Sequence, residues 1–418
     1  MELLQQSCPI IELYAKLKTP LAFSLVDVGC SGGIDKIFKE LGVMLKALGI
    51  DASVDEIEKL RRENMHDGIK YIDGLVIGLS EEIHLTNDFV NSKYWINNPW
   101  ERLSVHRTLK IRSQHEQLKN HEEKMFFNRW FDTKLSSNHF TLPNALIEND
   151  FLDVDLLKID IDGPDFAVMQ ALHKRFDEFG ILAVVMEVCY AGSHNPTDNT
   201  FHNTDRFMRE NGFELYGLTT RPYSMASLPF RYQWGFPAQT TGGRPMFGDA
   251  LYVRDICSVS YPIPNKFLSP EKIINAIFIF SLFGLPDCAA ELLLNYQEML
   301  APFLDTTEFL DALTRQSISM QRETPQGISS YKELMDMYES DSSSFYMASE
   351  DDPYKTLLKE HEKLTIGYKK LSLEYGKAIN LDGADMVIEK LLRHRIIWFL
   401  FRISILLSEK LYKLFRKQ

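Results

Sequence analysis

The chain has 418 residues, 45% of them hydrophobic, with a formal net charge of -12 and a pI near 5.5. That length allows two or three folding units with a sizeable core, and the acidic balance lacks the basic footprint of a nucleic-acid-binding protein. Five scattered cysteines, Cys8, Cys30, Cys189, Cys257 and Cys288, show no C-x-x-C spacing, which fits reduced thiols in the cytoplasm rather than a disulfide framework or a zinc site.

In chain order, MELLQQSCPIIELYAKLKTP lacks the basic start and long apolar stretch of a secretory signal and reads as a short amphipathic helix. Apolar β-rich runs then alternate with helical patterns from about residue 21 to 255. LAFSLVDVG is a strand, IDKIFKEL a helix, KALGID a strand, SVDEIEKLRREN a helix and KYIDGLVIGL a third strand. Residues 85–150 form a long insertion, partly helical. DVDLLKIDI is the fourth strand, PDFAVMQALHKRF a helix, ILAVVMEVCY the fifth strand, HNTDRFMREN a helix closed by Gly212, FELYGL the sixth strand and DALYVRD the seventh. Strands without polar faces, alternating with helices, predict a mostly parallel α/β sheet with helices on both faces. The long segment between the last two strands carries Tyr223, Phe230, Tyr232, Trp234 and Phe236 with Arg231 and Arg244. It reads either as a platform for a flat ligand face or as a cap on the sheet edge.

After residue 256 the pattern becomes helical. Residues 257–335 are expected to form an α-helical extension and 336–353 an acidic linker. Residues 354–384 form a helical spacer in which Tyr354, Leu357, His361, Leu364, Tyr368, Leu371 and Tyr375 make a heptad seam, a candidate for homo-oligomer contacts. Residues 385–418 read as a basic amphipathic helix. Met386–Gln418 holds eight Lys/Arg against two Glu, a net of +6, so the rest of the chain carries -18. Arg402 interrupts the apolar run, which argues against a membrane span, whereas basic ends and a Trp/Phe-bearing apolar face suit an anionic membrane surface. A helix packed on the first 256 residues or in a dimer is the other reading.

VDVGCSGGI, at the first strand-to-helix turn, carries the chemistry. Asp27, Gly29, Ser31 and Gly33 hold an acid-x-G-x-x-x-G pattern, and Asp51, ending the second strand, lies 22 residues beyond Gly29. An acid there can accept both hydroxyls of a ribose, and glycines let backbone approach a ligand. The turn lacks the G-x-G-x-x-G spacing suited to a pyrophosphate. A ligand-free turn, a dinucleotide site and a site for S-adenosylmethionine, which has a ribose and no phosphate, all remain open on these residues alone.

The second motif, LLKIDIDGPDFAVMQAL over 156–172, resembles the signature of FkbM-type S-adenosylmethionine-dependent methyltransferases, with Asp162 and Asp165 where that family carries glutamates. VDVGCSGGI, GIDAS, TLPNALIEND, VVMEVCY and GDALYVRD are similar to its other blocks in order, over residues 21–256. The resemblance implies a class I methyltransferase, Rossmann-like fold: a seven-stranded sheet with a terminal antiparallel strand, making residues 1–256 the methyltransferase domain. It implies S-adenosyl-L-methionine as cofactor, with contacts from Asp27, Gly29, Ser31, Gly33, Asp51 and the backbone around Gly78, and transfer to a hydroxyl oxygen.

Such a transfer needs an aligned acceptor and a base. Asp160, Asp162, Glu187 and His194 are the catalytic candidates, because they lie where the fourth and fifth strands end. Asp160 and Asp162 alternate in a strand and would face opposite ways. Asp165 fits equally a structural place at the next helix start. His106, Arg107, Arg112 and His115 in the insertion are weaker candidates, and no H-E-x-x-H or carboxylate cluster points to a metal. The expectation is a cytoplasmic O-methyltransferase, peripheral on the inner membrane face, acting on a sugar hydroxyl in surface-glycan assembly. A polyketide-like or lipid acceptor is the alternative within the enzyme class, and a non-catalytic scaffold is the alternative outside it.

Overall fold

The computed structural model describes residues 3–5, 8–78, 134–161, 165–190, 196, 199–223, 243–257, 262–320 and 328–345. The chain divides into two units, Met1–Asp336 and Met337–Gln418. In the second, the described residues are the end of the helix Tyr331–Ser340 and a short 3-10 turn, Ser342–Phe345. The heptads of 354–375, the basic segment of 385–418, residues 79–133 of the long insertion and the aromatic segment of 224–242 lie outside the described residues.

Ten strands are described: β1 Phe23–Val28, β2 Leu45–Asp51, β3 Ile69–Asp73, β4 Leu75–Ile77, β5 His139–Thr141, β6 Leu156–Ile159, β7 Ala183–Cys189, β8 Glu214–Leu218, β9 Arg221–Tyr223 and β10 Arg244–Val253. The main sheet runs β3-β2-β1-β6-β7-β10-β8, with β9 paired to β10. Neighbours from β3 to β7 are parallel, and β10 is antiparallel to β7, β8 and β9. Counting the seven strands of the main path in chain order, the sequence 3-2-1-4-5-7-6 with the seventh antiparallel is the class I methyltransferase arrangement.

Period-2 alternation feeds two cores. Phe23, Leu25, Leu45, Ala47, Leu156, Val185, Leu251 and Val253 face one layer, while Val26, Val28, Leu48, Ile50, Leu157, Ile159, Val184, Met186 and Tyr252 face the other. The second layer is covered by α4 Leu142–Glu148, α5 Asp165–Gln170 and α6 Phe201–Glu210, through side chains such as Leu146, Phe166, Phe207 and Met208. The first is covered by α1 Ile10–Tyr14, α2 Lys36–Lys39, α3 Val54–Glu63, α7 Pro270–Leu282, α8 Pro286–Asn295 and α10 Thr306–Met320, with the short α9 Gln297–Leu300 between the last two. The helix Tyr331–Ser340 is α11.

Helix α7 explains itself locally. Ser269 caps it by accepting from the Lys272 N–H at 3.3 Å, Pro270 occupies its first turn, and Gly284 at φ 72 follows its end. Every residue from Lys272 to Leu282 is buried, as a helix apolar on nearly every side requires. Its polar residues meet a buried network at the amino ends of the strands. Lys272 Nζ donates to Asp155 Oδ1 at 2.7 Å, Asn275 Nδ2 to Asp155 Oδ2 at 2.9 Å, and Tyr14 Oη to Asn275 Oδ1 at 2.5 Å.

Two element boundaries differ from the sequence reading. The third strand, KYIDGLVIGL, is broken at Gly74, whose N–H donates to Asp51 O at 2.9 Å. Beyond it the chain leaves the main sheet, and β4 pairs with β5 in a separate two-stranded sheet. The cause is a competing ladder: Leu75 N donates to Asn138 O at 2.9 Å, and Asp73 Oδ2 accepts from Ser136 Oγ at 2.8 Å. The fourth strand ends at Ile159, so Asp160 lies just past the ladder rather than within it.

Candidate active site

The strand order reverses between β1 and β6, and the carboxyl ends of these strands with β2 open the crevice where ligands of open α/β sheets lie. VDVGCSGGI crosses this point. Gly29 and Cys30 both donate to Ile50 O, at 2.8 and 3.1 Å, pinning the turn to β2. Gly33 N donates to Cys30 O at 2.8 Å, and Ile34 N to Tyr71 Oη at 3.2 Å. Gly29 sits at φ +87, and a Cβ there would lie 1.8 Å from Asp160 O, so only glycine lets the turn pass β6. Gly32 sits at φ +83 with nothing within 4 Å of a built Cβ. Ser31 and Gly32 are exposed at the apex.

Carboxylates ring this turn. Gly32 N donates to Glu56 Oε1 at 3.1 Å. Asp51 lies at the end of β2, its Oδ1 accepting from Ser53 N at 2.8 Å. Burial raises the Asp51 carboxyl above its ordinary range, the Ser53 N–H opposes this, and the charges of Glu56 and Asp27 add to it. Asp27 and Lys158 are direct cross-strand partners in the β1–β6 ladder, and Lys158 Nζ donates to Asp27 Oδ1 at 2.9 Å. The same ammonium lies 3.6 Å from Asp160 Oδ2. The Asp27 and Lys158 side chains are 8% and 13% exposed and that of Asp160 is 43% exposed, so the triad runs from the core to the mouth of the crevice. Burial raises the Asp27 carboxyl, with Lys158 opposing; burial alone would lower Lys158, but the charges of Asp27 and Asp160 outweigh it and hold it above its usual range.

The donor set fits S-adenosylmethionine. Carboxylates accept from ribose hydroxyls and attract a sulfonium and an ammonium, and they repel a phosphate. The open face at Gly32 leaves room for a ligand against the turn. Gly78, named as a cofactor contact through its backbone, packs closely on α5: a Cβ there would meet Ala167 Cβ and O at 3.0 Å.

Glu187, in β7, lies opposite Asp249 of β10. Arg221 bridges them, with Nη1 donating to Glu187 Oε1 at 2.7 Å and Nη2 to Asp249 Oδ1 at 3.1 Å, and all three side chains are largely buried. Glu187 is thus held in an ion-paired cluster that ties β9 across the sheet end. Asp165 is fully buried in the first turn of α5, where Oδ1 accepts from Ile161 N at 3.0 Å and Oδ2 from Asn199 Nδ2 at 3.4 Å. It clamps the loop after β6. Asp162 and His194 lie outside the described residues. Among the described residues no His/Cys/Asp/Glu group is placed to hold a metal ion, and no helix is long and apolar enough to cross a membrane.

Sequence reasoning missed Lys158 and Arg221. For Lys158 a signal existed: it lies in the fourth strand opposite Asp27 of the first, at the start of the K-I-D run that leads to Asp160. For Arg221, 34 residues from Glu187, no local spacing could reveal the pair.

The family described as the Methyltransferase FkbM domain matches residues 96–215. That span contains the second motif and β5 through β7, and it begins after the glycine turn and Asp51. No curated protein sequence matches the chain. Solved structures similar to it include a precorrin-6y C5,15-methyltransferase from Geobacter metallireducens (9% identity, 60% of this chain and 90% of that one, TM-score 0.27). Another is a putative S-adenosylmethionine-dependent methyltransferase from Listeria monocytogenes (12%, 59% and 98%, 0.28). A third is the magnesium protoporphyrin IX methyltransferase of Synechocystis with bound S-adenosylhomocysteine (9%, 56% and 75%, 0.24).

Proposed function

We propose that the chain, which matches the Methyltransferase FkbM domain over residues 96–215, is an S-adenosylmethionine-dependent methyltransferase that methylates a hydroxyl oxygen of a sugar during surface-glycan assembly, at a membrane surface. The observation that carries the site assignment is the carboxylate-ringed glycine turn at the reversal of strand order. In this reading Asp51 accepts from the ribose hydroxyls, and Gly29, Ser31 and Gly33 shape the turn that holds the cofactor.

When bound, the cofactor supplies an electrophilic methyl group on a sulfonium. The chain must then align the acceptor oxygen in line with it and accept the hydroxyl proton. Asp160, Asp162, Glu187 and His194 are the candidates for that acceptance. Glu187 would act first by fixing, with Arg221, the strand from which the aromatic segment departs. The family resemblance supports the hydroxyl acceptor, the Tyr/Phe/Trp-rich segment supports a sugar ring, and the basic amphipathic C-terminus supports the membrane surface.

Incubation of the full chain with methyl-labelled cofactor and separated glycan and lipid extracts tests the acceptor. Label in the glycan fraction, released as an O-methyl sugar, is expected. Label confined to the lipid fraction would replace the sugar with a lipid acceptor, and no label in any fraction would favour the scaffold.

A further inference from the structure

Tyr71 stands in β3, the edge strand, directly opposite Gly49 of β2. Its ring is buried and leans across β2: a Cβ at Gly49 would come within 2.6 and 2.8 Å of the ring carbons Cδ1 and Cε1. A ring laid over a strand glycine is favourable packing, and phenylalanine would supply it equally well. The hydroxyl needs another reason, because burying one without a hydrogen bond is costly. It reaches the glycine turn. Its oxygen accepts from Ile34 N at 3.2 Å and would lie 3.2 Å from a Cβ at Gly33, which sits at φ +87. Ile34 is 2% exposed and precedes α2, whose cap is Asp35, so its N–H lies outside the helix's own ladder. Gly29 and Cys30 pin the start of the turn to Ile50 O of β2, and Tyr71 pins its end to β3. Strand β3 is held in turn by Arg61 of α3, with Nε donating to Tyr71 O at 3.0 Å and Nη2 to Asp73 Oδ1 at 3.0 Å.

We propose that Tyr71 is a positioning residue for the cofactor turn: its hydroxyl, reaching across Gly49 from the edge strand, holds Ile34 N and with it the arc from Cys30 to Ile34 in the shape that receives S-adenosylmethionine. Without that acceptor, the Ile34 N–H is satisfied only when the turn swings it to water. The turn then divides between conformers, and the apparent affinity falls by the fraction that keeps the binding shape. Tyr71 acts through the turn and does not touch the cofactor. This rests on the cofactor assignment and not on the sugar acceptor.

Tyr71→Phe keeps the ring over Gly49 and removes only the hydroxyl. In calorimetry with S-adenosylhomocysteine, the full-length variant should bind roughly tenfold more weakly, within the range that orphaning one buried N–H allows. Hydrogen exchange separates positioning from mere support. In the free variant the amides of residues 29–35 should exchange faster than in the original chain, and saturating S-adenosylhomocysteine should return them to the original rate. A folded Tyr71→Phe chain that binds as tightly as the original overturns the proposal, and a lowered melting temperature beside that intact affinity would mark the bond as structural only. Weaker binding with the exchange of residues 29–35 unchanged overturns it as well. Failure of the original chain to bind S-adenosylhomocysteine would instead remove the cofactor assignment beneath it.

Discussion

Gly29 and Gly32 share a left-handed backbone, at φ +87 and +83, but not a role. An alanine at either meets strain of about 1–3 kcal/mol. At Gly29 it also meets the Asp160 carbonyl, which cannot retreat without breaking the β1–β6 junction. Gly29→Ala should therefore lower stability in urea more than Gly32→Ala does. Gly32→Ala, whose methyl points into open space beside the crevice, should lose proportionally more affinity for S-adenosylhomocysteine than stability. Equal effects of the two on both measurements would contradict the placement of the turn. In its proposed role the Asp51 carboxyl, raised by burial, accepts from two ribose hydroxyls most strongly when ionised. Affinity should thus be full at neutral pH and fall as pH drops through its raised value, and Asp51→Asn should remove that dependence. That Asp27, Asp51 and the glycines meet at the first strand-to-helix turn was legible because short spacings set it. The Arg221 bridge to Glu187 and Asp249 was not, because strand pairing across the sheet end creates it.

At the scale of elements, apolar runs and their breakers located the strands of the main sheet and most of its helices. The break at Gly74 was hidden because KYID and LVI are equally good strand sequences; which ladder each joins depends on Ser136 and Asn138, more than sixty residues away. The helices after residue 256 were visible as apolar, but not the surface they cover. Ile273, Ile277 and Phe278 share one core with β1, β6 and β7. Phe278 stacks edge-on to Phe23 with centroids 5.0 Å apart. Each such side chain contributes about 1.5–3 kcal/mol by leaving water. A chain ending at residue 256 should therefore fail to show a cooperative thermal transition, whereas one ending at residue 345 should show it. The buried Asp155–Lys272 pair has the same consequence in miniature. Lys272→Met leaves a buried carboxylate uncompensated and should cost about 3–5 kcal/mol in denaturant unfolding, while Asp155→Asn/Lys272→Met should cost less. If the double variant is as damaged as the single, charge burial is not what the pair manages.

At the scale of the whole molecule, charge is divided between an acidic body and a basic C-terminus of net +6 over its last 33 residues. Full-length chain should pellet with vesicles containing anionic lipid, and a chain ending at Ala384 should stay in the supernatant. Each Lys/Arg near such a surface contributes about 1 kcal/mol, screened beyond a Debye length, so added salt should release part of the bound protein. The apolar face should keep the rest. Sequence composition made this division legible. In the proposed function, the turn at the reversal of strand order and the LLKIDIDG segment serve one S-adenosylmethionine site. Calorimetry of S-adenosylhomocysteine with the full chain and with Asp51→Ala tests it most directly. One site per chain is expected, weakened in the variant by roughly 1.5–3 kcal/mol, the range for hydrogen bonds to a charged group. A folded Asp51→Ala chain that binds as tightly as the original, or an original chain that does not bind at all, would contradict the account.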